Sequence, residues 1–149
     1  MTGETPMTNL MAEPAALLSA VVTILALLFY FYAGMRVGSM RSKHGIKAPL
    51  MTGHPEMDRA VRIHMNTLEQ LVIFLPLLWL ATIYFHLVAW LPAAVGIVWI
   101  IGRFLYMTSY MADPDKRGTG FGIALLANVV LLVLAIWGIA VTWSVAAAS

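Results

Sequence analysis

The chain has 149 residues, of which 61% are hydrophobic and 11% charged, with a formal net charge of +2 and a mean hydropathy of +0.85. That balance excludes an ordinary soluble domain. The absence of cysteine excludes disulfides, a cysteine nucleophile and thiolate metal sites, and the charge implies no nucleic-acid partner because the placement of the basic residues is explained by membrane topology.

In lipid each span must satisfy its own backbone hydrogen bonds, which leaves helices or a closed barrel, and continuous apolar runs rather than alternating ones favour helices. A span needs about 20 residues to cross a hydrocarbon core of about 30 Å. Four runs reach that length: Pro14 to about Met35, about Met57 to His86, about Ala89 to Met111, and about Phe121 to Val145. The expectation is an all-α membrane protein, a bundle of four transmembrane helices forming one domain over residues 1–149.

The first run reads as a retained helix rather than a cleaved signal peptide. The segment before it lacks Lys and Arg and carries Glu4 and Glu13, and the apolar stretch is too long for a signal core. Arg36, Arg41, Lys43, Lys47, Arg59 and Arg62 surround the first loop. Helix 2 follows the break "APLMTGHPEMD", with Pro55 suited to a first turn and Glu56 and Asp58 favourably placed for the helix dipole. Lys116 and Arg117 lie in "MADPDKRGTGFG" before helix 4. These basic loops are expected to be cytoplasmic and both termini to face the other side, where Tyr84, Trp90 and Trp143 would be interfacial aromatics.

The stretch "RIHMNTLEQL" sets charge against the apolar run of helix 2, a costly arrangement that marks a functional-site hypothesis. Residues three and four apart share a helix face, so Arg59, Arg62, Asn66 and Glu69 form one stripe while His64 points elsewhere. Arg103, Tyr106 and Tyr110 form a matching stripe on helix 3, with Arg117 beyond it. Counting about 1.5 Å per residue from the connection between these helices puts Glu69 level with Tyr106 and Asn66 level with Tyr110, with Glu69 the expected partner of Arg103. Taken singly, such groups serve equally well as interhelical packing. Together, Arg41, Arg62, Arg103 and Arg117 exceed the local carboxylates and predict a cationic pocket with two phenols and an amide, suited to an anion bearing carboxylates. The four histidines, His44, His54, His64 and His86, read as interface or loop residues with no metal-ligand context, and no metal is expected.

Two motifs carry a resemblance over the chain from about Arg36 to the end of helix 4: "RIHMNTLE" in helix 2 and "GRFLYMTSYMADPDKR" at the end of helix 3. In this order and with four spans, they resemble the membrane-associated proteins in eicosanoid and glutathione metabolism, closest in style to the microsomal glutathione transferase 3 branch and its bacterial relatives. The resemblance implies a homotrimer with one glutathione, as co-substrate, at each subunit interface. It implies Arg62, Asn66 and Glu69 as helix 2 ligands, Arg103, Tyr106 and Tyr110 as helix 3 ligands from the neighbouring subunit, Arg41 as a further basic contact, and Arg117 as the catalytic arginine that activates the thiol. His64 matches a position that is polar in several members. Gln70 stands where some members have a tyrosine contacting glutathione, and the proline that often follows the Glu comes only at Pro76.

An arginine near the sulfur favours the nucleophilic thiolate, acting as an electrostatic stabiliser because it stays protonated. The implied activity is a membrane-bound glutathione transferase that conjugates hydrophobic electrophiles, with reduction of lipid hydroperoxides as a second outcome, in a bacterial inner membrane. The alternative is a non-catalytic lipid-binding or scaffold member, as 5-lipoxygenase-activating protein is in the same family. A transporter relay through Glu69 and Arg103 is opposed by short loops and the lack of a broken helix or inverted repeat.

Overall fold

The computed structural model describes residues 13–148, so Glu4 and the rest of the N-terminal arm lie outside the described residues. Four helices follow one another: α1 (Pro14–Lys43), α2 (Pro55–Tyr84), α3 (Leu91–Ala112) and α4 (Gly118–Ala148), with a single 3-10 turn, Pro114–Arg117, between the last two. All four are long and apolar enough to cross a membrane, and no strand occurs among the described residues.

Local chemistry accounts for the ends. Proline stands in the first turn of α1, α2 and α3, where its missing N–H has no intrahelical partner to lose. α1 continues past the expected end near Met35 because nothing in Arg36–Lys43 breaks a helix. It stops just before Gly45, which takes a φ of +63°. Arg36 and Arg41 therefore ride on the helix, and Arg41 and Lys43 occupy its last turn, where cations complement the dipole. At the other end, α2 and α3 stop short of one another, so the link spanning residues 85–90 is longer than expected. α2 runs through Pro76 without a break.

The packing is inverted relative to a soluble bundle. Phe31, Val72 and Leu126 are 66%, 68% and 64% exposed, whereas the interior is rich in small side chains. α4 buries Gly120, Ala124, Ala127, Ala135 and Gly138 on one face, the small-residue pattern that lets membrane helices approach closely when no hydrophobic drive separates helix from lipid. A Cβ added at Gly102 on α3 would stand 2.8 Å from the backbone N of Ala124, and one at Gly120 only 2.2 Å from the backbone N of Tyr106. Larger groups fill the centre, where the rings of Phe74 and Trp99 stack with centroids 4.1 Å apart. Ser19 and Thr82 join α1 to α2 by a buried 2.7 Å hydrogen bond.

Candidate functional site

Between α2, α3 and α4, at the end of the bundle that carries the 3-10 turn, lies a cavity of about 350 Å³ lined by Arg62, Asn66, Tyr106, Tyr110, Arg117, Gly118 and Phe121. This lies at the small end of the range for small-molecule sites, about 300–1,000 Å³. Each polar lining group arrives by helical spacing. Arg62 and Asn66 stand one turn apart on α2, Tyr106 and Tyr110 one turn apart on α3, and the 3-10 turn brings Arg117 back over the mouth.

The α3 side of the site is a column of rings and cations. The Tyr106 and Tyr110 rings stack with centroids 5.5 Å apart. The Arg103 guanidinium lies 4.5 Å from the Tyr106 centroid, and that of Arg117 5.8 Å from the Tyr110 centroid. Both distances fall in the range where a ring quadrupole attracts a cation. Arg103 is fully buried and donates through Nη1 to Asn66 Oδ1 at 3.0 Å and through Nη2 to Thr67 Oγ1 at 2.9 Å. It stands behind the cavity wall and holds Asn66 in place. Asn66 Nδ2 in turn donates to Glu69 Oε2 at 3.2 Å.

One expectation is corrected here. Arg103 does not pair with Glu69: the ion pairs among the described residues are Lys43 with Glu56, His44 with Glu56, and Lys116 with Asp113. Depth counting misplaced the partner because the link between α2 and α3 is not helical and the long arginine side chain reaches past its own level. Within one chain, Tyr106 and Tyr110 of α3 line the same cavity as Arg62 and Asn66 of α2.

The remaining predicted residues lie elsewhere. Glu69 is exposed and reaches the site as the acceptor of the Asn66 Nδ2 hydrogen bond. His64 faces α1, stacked on Tyr30 at 4.6 Å between centroids. Gln70 faces α4, its Oε1 accepting from Asn128 Nδ2 at 3.0 Å. Arg41 is half-buried with a buried Nη1 that has no hydrogen-bond partner, and it does not line the cavity. Sequence reasoning missed Thr67 and Asn128. A signal existed for each: Thr67 adjoins the polar stripe, and Asn128 is a lone amide within the apolar run of α4.

Among the described residues neither Arg62 nor Arg117 has an ion-pair partner, and both are exposed at the cavity. The site thus presents two uncompensated guanidinium groups, two phenols and an amide, which suits an anion with more than one acceptor group.

Comparison with known proteins gives the family. The sequence model of the MAPEG family matches residues 19–137. The chain belongs to that family. Within the MAPEG family it is 38% identical over 129 residues to an uncharacterised protein of Synechocystis, covering 87% of this chain and 93% of the other. It is 38% identical over 130 residues to microsomal glutathione S-transferase 2 of Mus musculus, covering 87% and 86%. With leukotriene C4 synthase of Cavia porcellus it shares 35% identity over 129 residues, covering 87% and 84%. These names do not single out the transferase 3 branch. MAPEG membership together with four apolar helices makes the chain an integral membrane protein.

Proposed function

We propose that this MAPEG protein is a membrane-bound glutathione transferase that joins the glutathione thiolate to lipophilic electrophiles. The observation that carries the proposal is the convergence of Arg62, Asn66, Tyr106, Tyr110 and Arg117 on one cavity in which both exposed arginines lack an ion-pair partner. The similarity to a glutathione S-transferase supports glutathione as the co-substrate.

In this reading the two carboxylates of glutathione meet Arg62 and the cationic wall, and Asn66, held by Arg103, orients the peptide. Arg117 lies beside the sulfur. Its fixed positive charge stabilises the thiolate, so the thiol proton leaves to solvent at neutral pH. The sulfur electron pair then attacks the electrophilic carbon of a substrate entering from the bilayer. The C–S bond forms as the leaving group departs with its electron pair or as an epoxide C–O bond opens. With a lipid hydroperoxide the thiolate attacks the distal oxygen and the O–O bond breaks, leaving glutathione sulfenic acid and an alkoxide that takes a proton from solvent to become the alcohol; the thiol of a second glutathione then displaces water from the sulfenic acid to form the disulfide. The protein works as a homotrimer in a bacterial inner membrane, with the basic loops and the cavity mouth on the cytoplasmic side and both termini opposite. Positive-inside charge placement supports that orientation.

The test is ultraviolet absorbance of the thiolate as glutathione is added to the purified protein in nanodiscs, with Arg117→Ala beside the wild type. A thiolate signal at neutral pH that disappears in Arg117→Ala, while glutathione still binds, is the expected result. Arg62→Ala should instead weaken binding itself. A wild type that binds no glutathione would overturn the proposal in favour of a lipid-binding scaffold.

A further inference from the structure

The two ends of the α1–α2 loop bring together three side chains that take no part in the cavity. His44 is the residue at which α1 ends, and His54 is the one at which α2 begins. Their rings stack with centroids 3.5 Å apart and planes 16° from parallel. Glu56, in the first turn of α2, places Oε2 2.9 Å from His44 Nε2, while its backbone N–H donates to His54 Nδ1 at 3.2 Å. One ring nitrogen from each histidine and one carboxylate oxygen all lie within 4.8 Å of one another.

We propose that His44, His54 and Glu56 form a site for a divalent transition metal of the zinc class, which pins the ends of the first loop together. Two imidazoles and a carboxylate are the borderline donors that zinc and its neighbours prefer, whereas magnesium and calcium ask for oxygen donors throughout. Tetrahedral bonds of about 2.0–2.2 Å keep ligand atoms roughly 3.4 Å apart, so the three donor atoms, within 4.8 Å of one another, draw together on binding, and the stacked rings of His44 and His54 turn out of parallel so that their in-plane lone pairs aim at one metal. A cation already occupies the carboxylate: Lys43 Nζ lies 2.6 Å from Glu56 Oε2. The Lys43 side chain is 55% exposed and can swing into water as the metal arrives, so that one cation replaces another. The side chains of His44 and Glu56 are 16% and 32% exposed, which leaves the fourth position open to water. Because none of the three residues lines the Arg62 and Arg117 cavity, the site stands or falls independently of the transferase reading.

The experiment uses untagged full-length protein in detergent, stripped with a chelator and titrated with zinc chloride by calorimetry and with cobalt(II) by visible absorption. The expected result is one metal per chain, with the intense absorption of a low-coordinate cobalt site, and at least about a 10-fold loss of affinity in His44→Gln and in His54→Asn. Asparagine is a good N-cap, so His54→Asn keeps the start of α2 and decides the matter even if His44→Gln folds poorly. His86→Gln should bind like the wild type. A wild-type dissociation constant weaker than ~100 µM, or undiminished affinity in His54→Asn, would overturn the proposal. An equal loss in His86→Gln would also overturn it, by showing chelation at scattered surface histidines.

Discussion

Replacing Gly120 with alanine tests whether the wall of the cavity depends on backbone-to-backbone contact between α3 and α4. The added Cβ would stand 2.2 Å from the Tyr106 backbone N and 2.6 Å from its Cα. Ordinary contact begins at 3.4 Å, so the two helices must separate locally by about 1.2 Å (3.4 − 2.2). Backbone atoms cannot rotate aside as a side-chain tip can, and the displaced segment carries Tyr106 on one side and Phe121 on the other, both lining the cavity. Overpacking of this kind costs about 1–3 kcal/mol, and an ångström of misplacement at a reacting centre costs on the order of 100-fold in rate. Gly122→Ala is the control, since a Cβ there meets nothing within 4 Å and alanine is the better helix former by about 1 kcal/mol. Thermal unfolding in detergent, glutathione affinity and conjugation rate are measured for both variants. A Gly120→Ala protein that matches Gly122→Ala in all three would refute the argument.

Three further outcomes follow from named contacts. Arg103→Met should lower glutathione affinity at least about 10-fold, because Asn66 loses a charge-assisted hydrogen bond worth about 1.5–3 kcal/mol. Its melting temperature should change little, since the variant also removes a buried cation whose Nε has no partner; calorimetry showing intact binding with a large drop in melting would make Arg103 a packing residue alone. Glu69→Ala should weaken glutathione binding without abolishing thiolate formation, because Glu69 acts on the site through Asn66; loss of the thiolate signal with unchanged affinity contradicts that. A double-mutant cycle of Ser19→Ala and Thr82→Val, followed by unfolding in detergent, should return a coupling of about 0.6 kcal/mol and no more than about 1.7 kcal/mol, with zero coupling showing that the 2.7 Å contact does not tie α1 to α2.

Much of the site was legible because helical periodicity is local. The spacing of Arg62 and Asn66, and of Tyr106 and Tyr110, places each pair on one face whatever the rest of the chain does, and a charge-poor apolar background makes such pairs conspicuous. What was not legible depended on residues distant in sequence. The partner of Arg103 turned on the shape of the link between α2 and α3, and Thr67 gained its role only when α3 lay against it. His44 and His54 lie ten positions apart (54 − 44) and read as separate loop residues until the loop ends stacked their rings.

Composition and apolar run length determined by themselves that this is a membrane protein of four helices, because a chain in lipid has almost no other way to satisfy its backbone. The tertiary structure alone decided which face of α2 meets α3, that both halves of the cavity belong to one chain, and that Glu69, His64, Gln70 and Arg41 stand outside it. The reason is that lipid and protein interior are equally apolar to a leucine, so hydrophobic pattern does not choose the facing side. Close approach at Gly102, Gly120 and Ala124 and the hydrogen bonds of Arg103 make that choice, and both exist only once the helices have met.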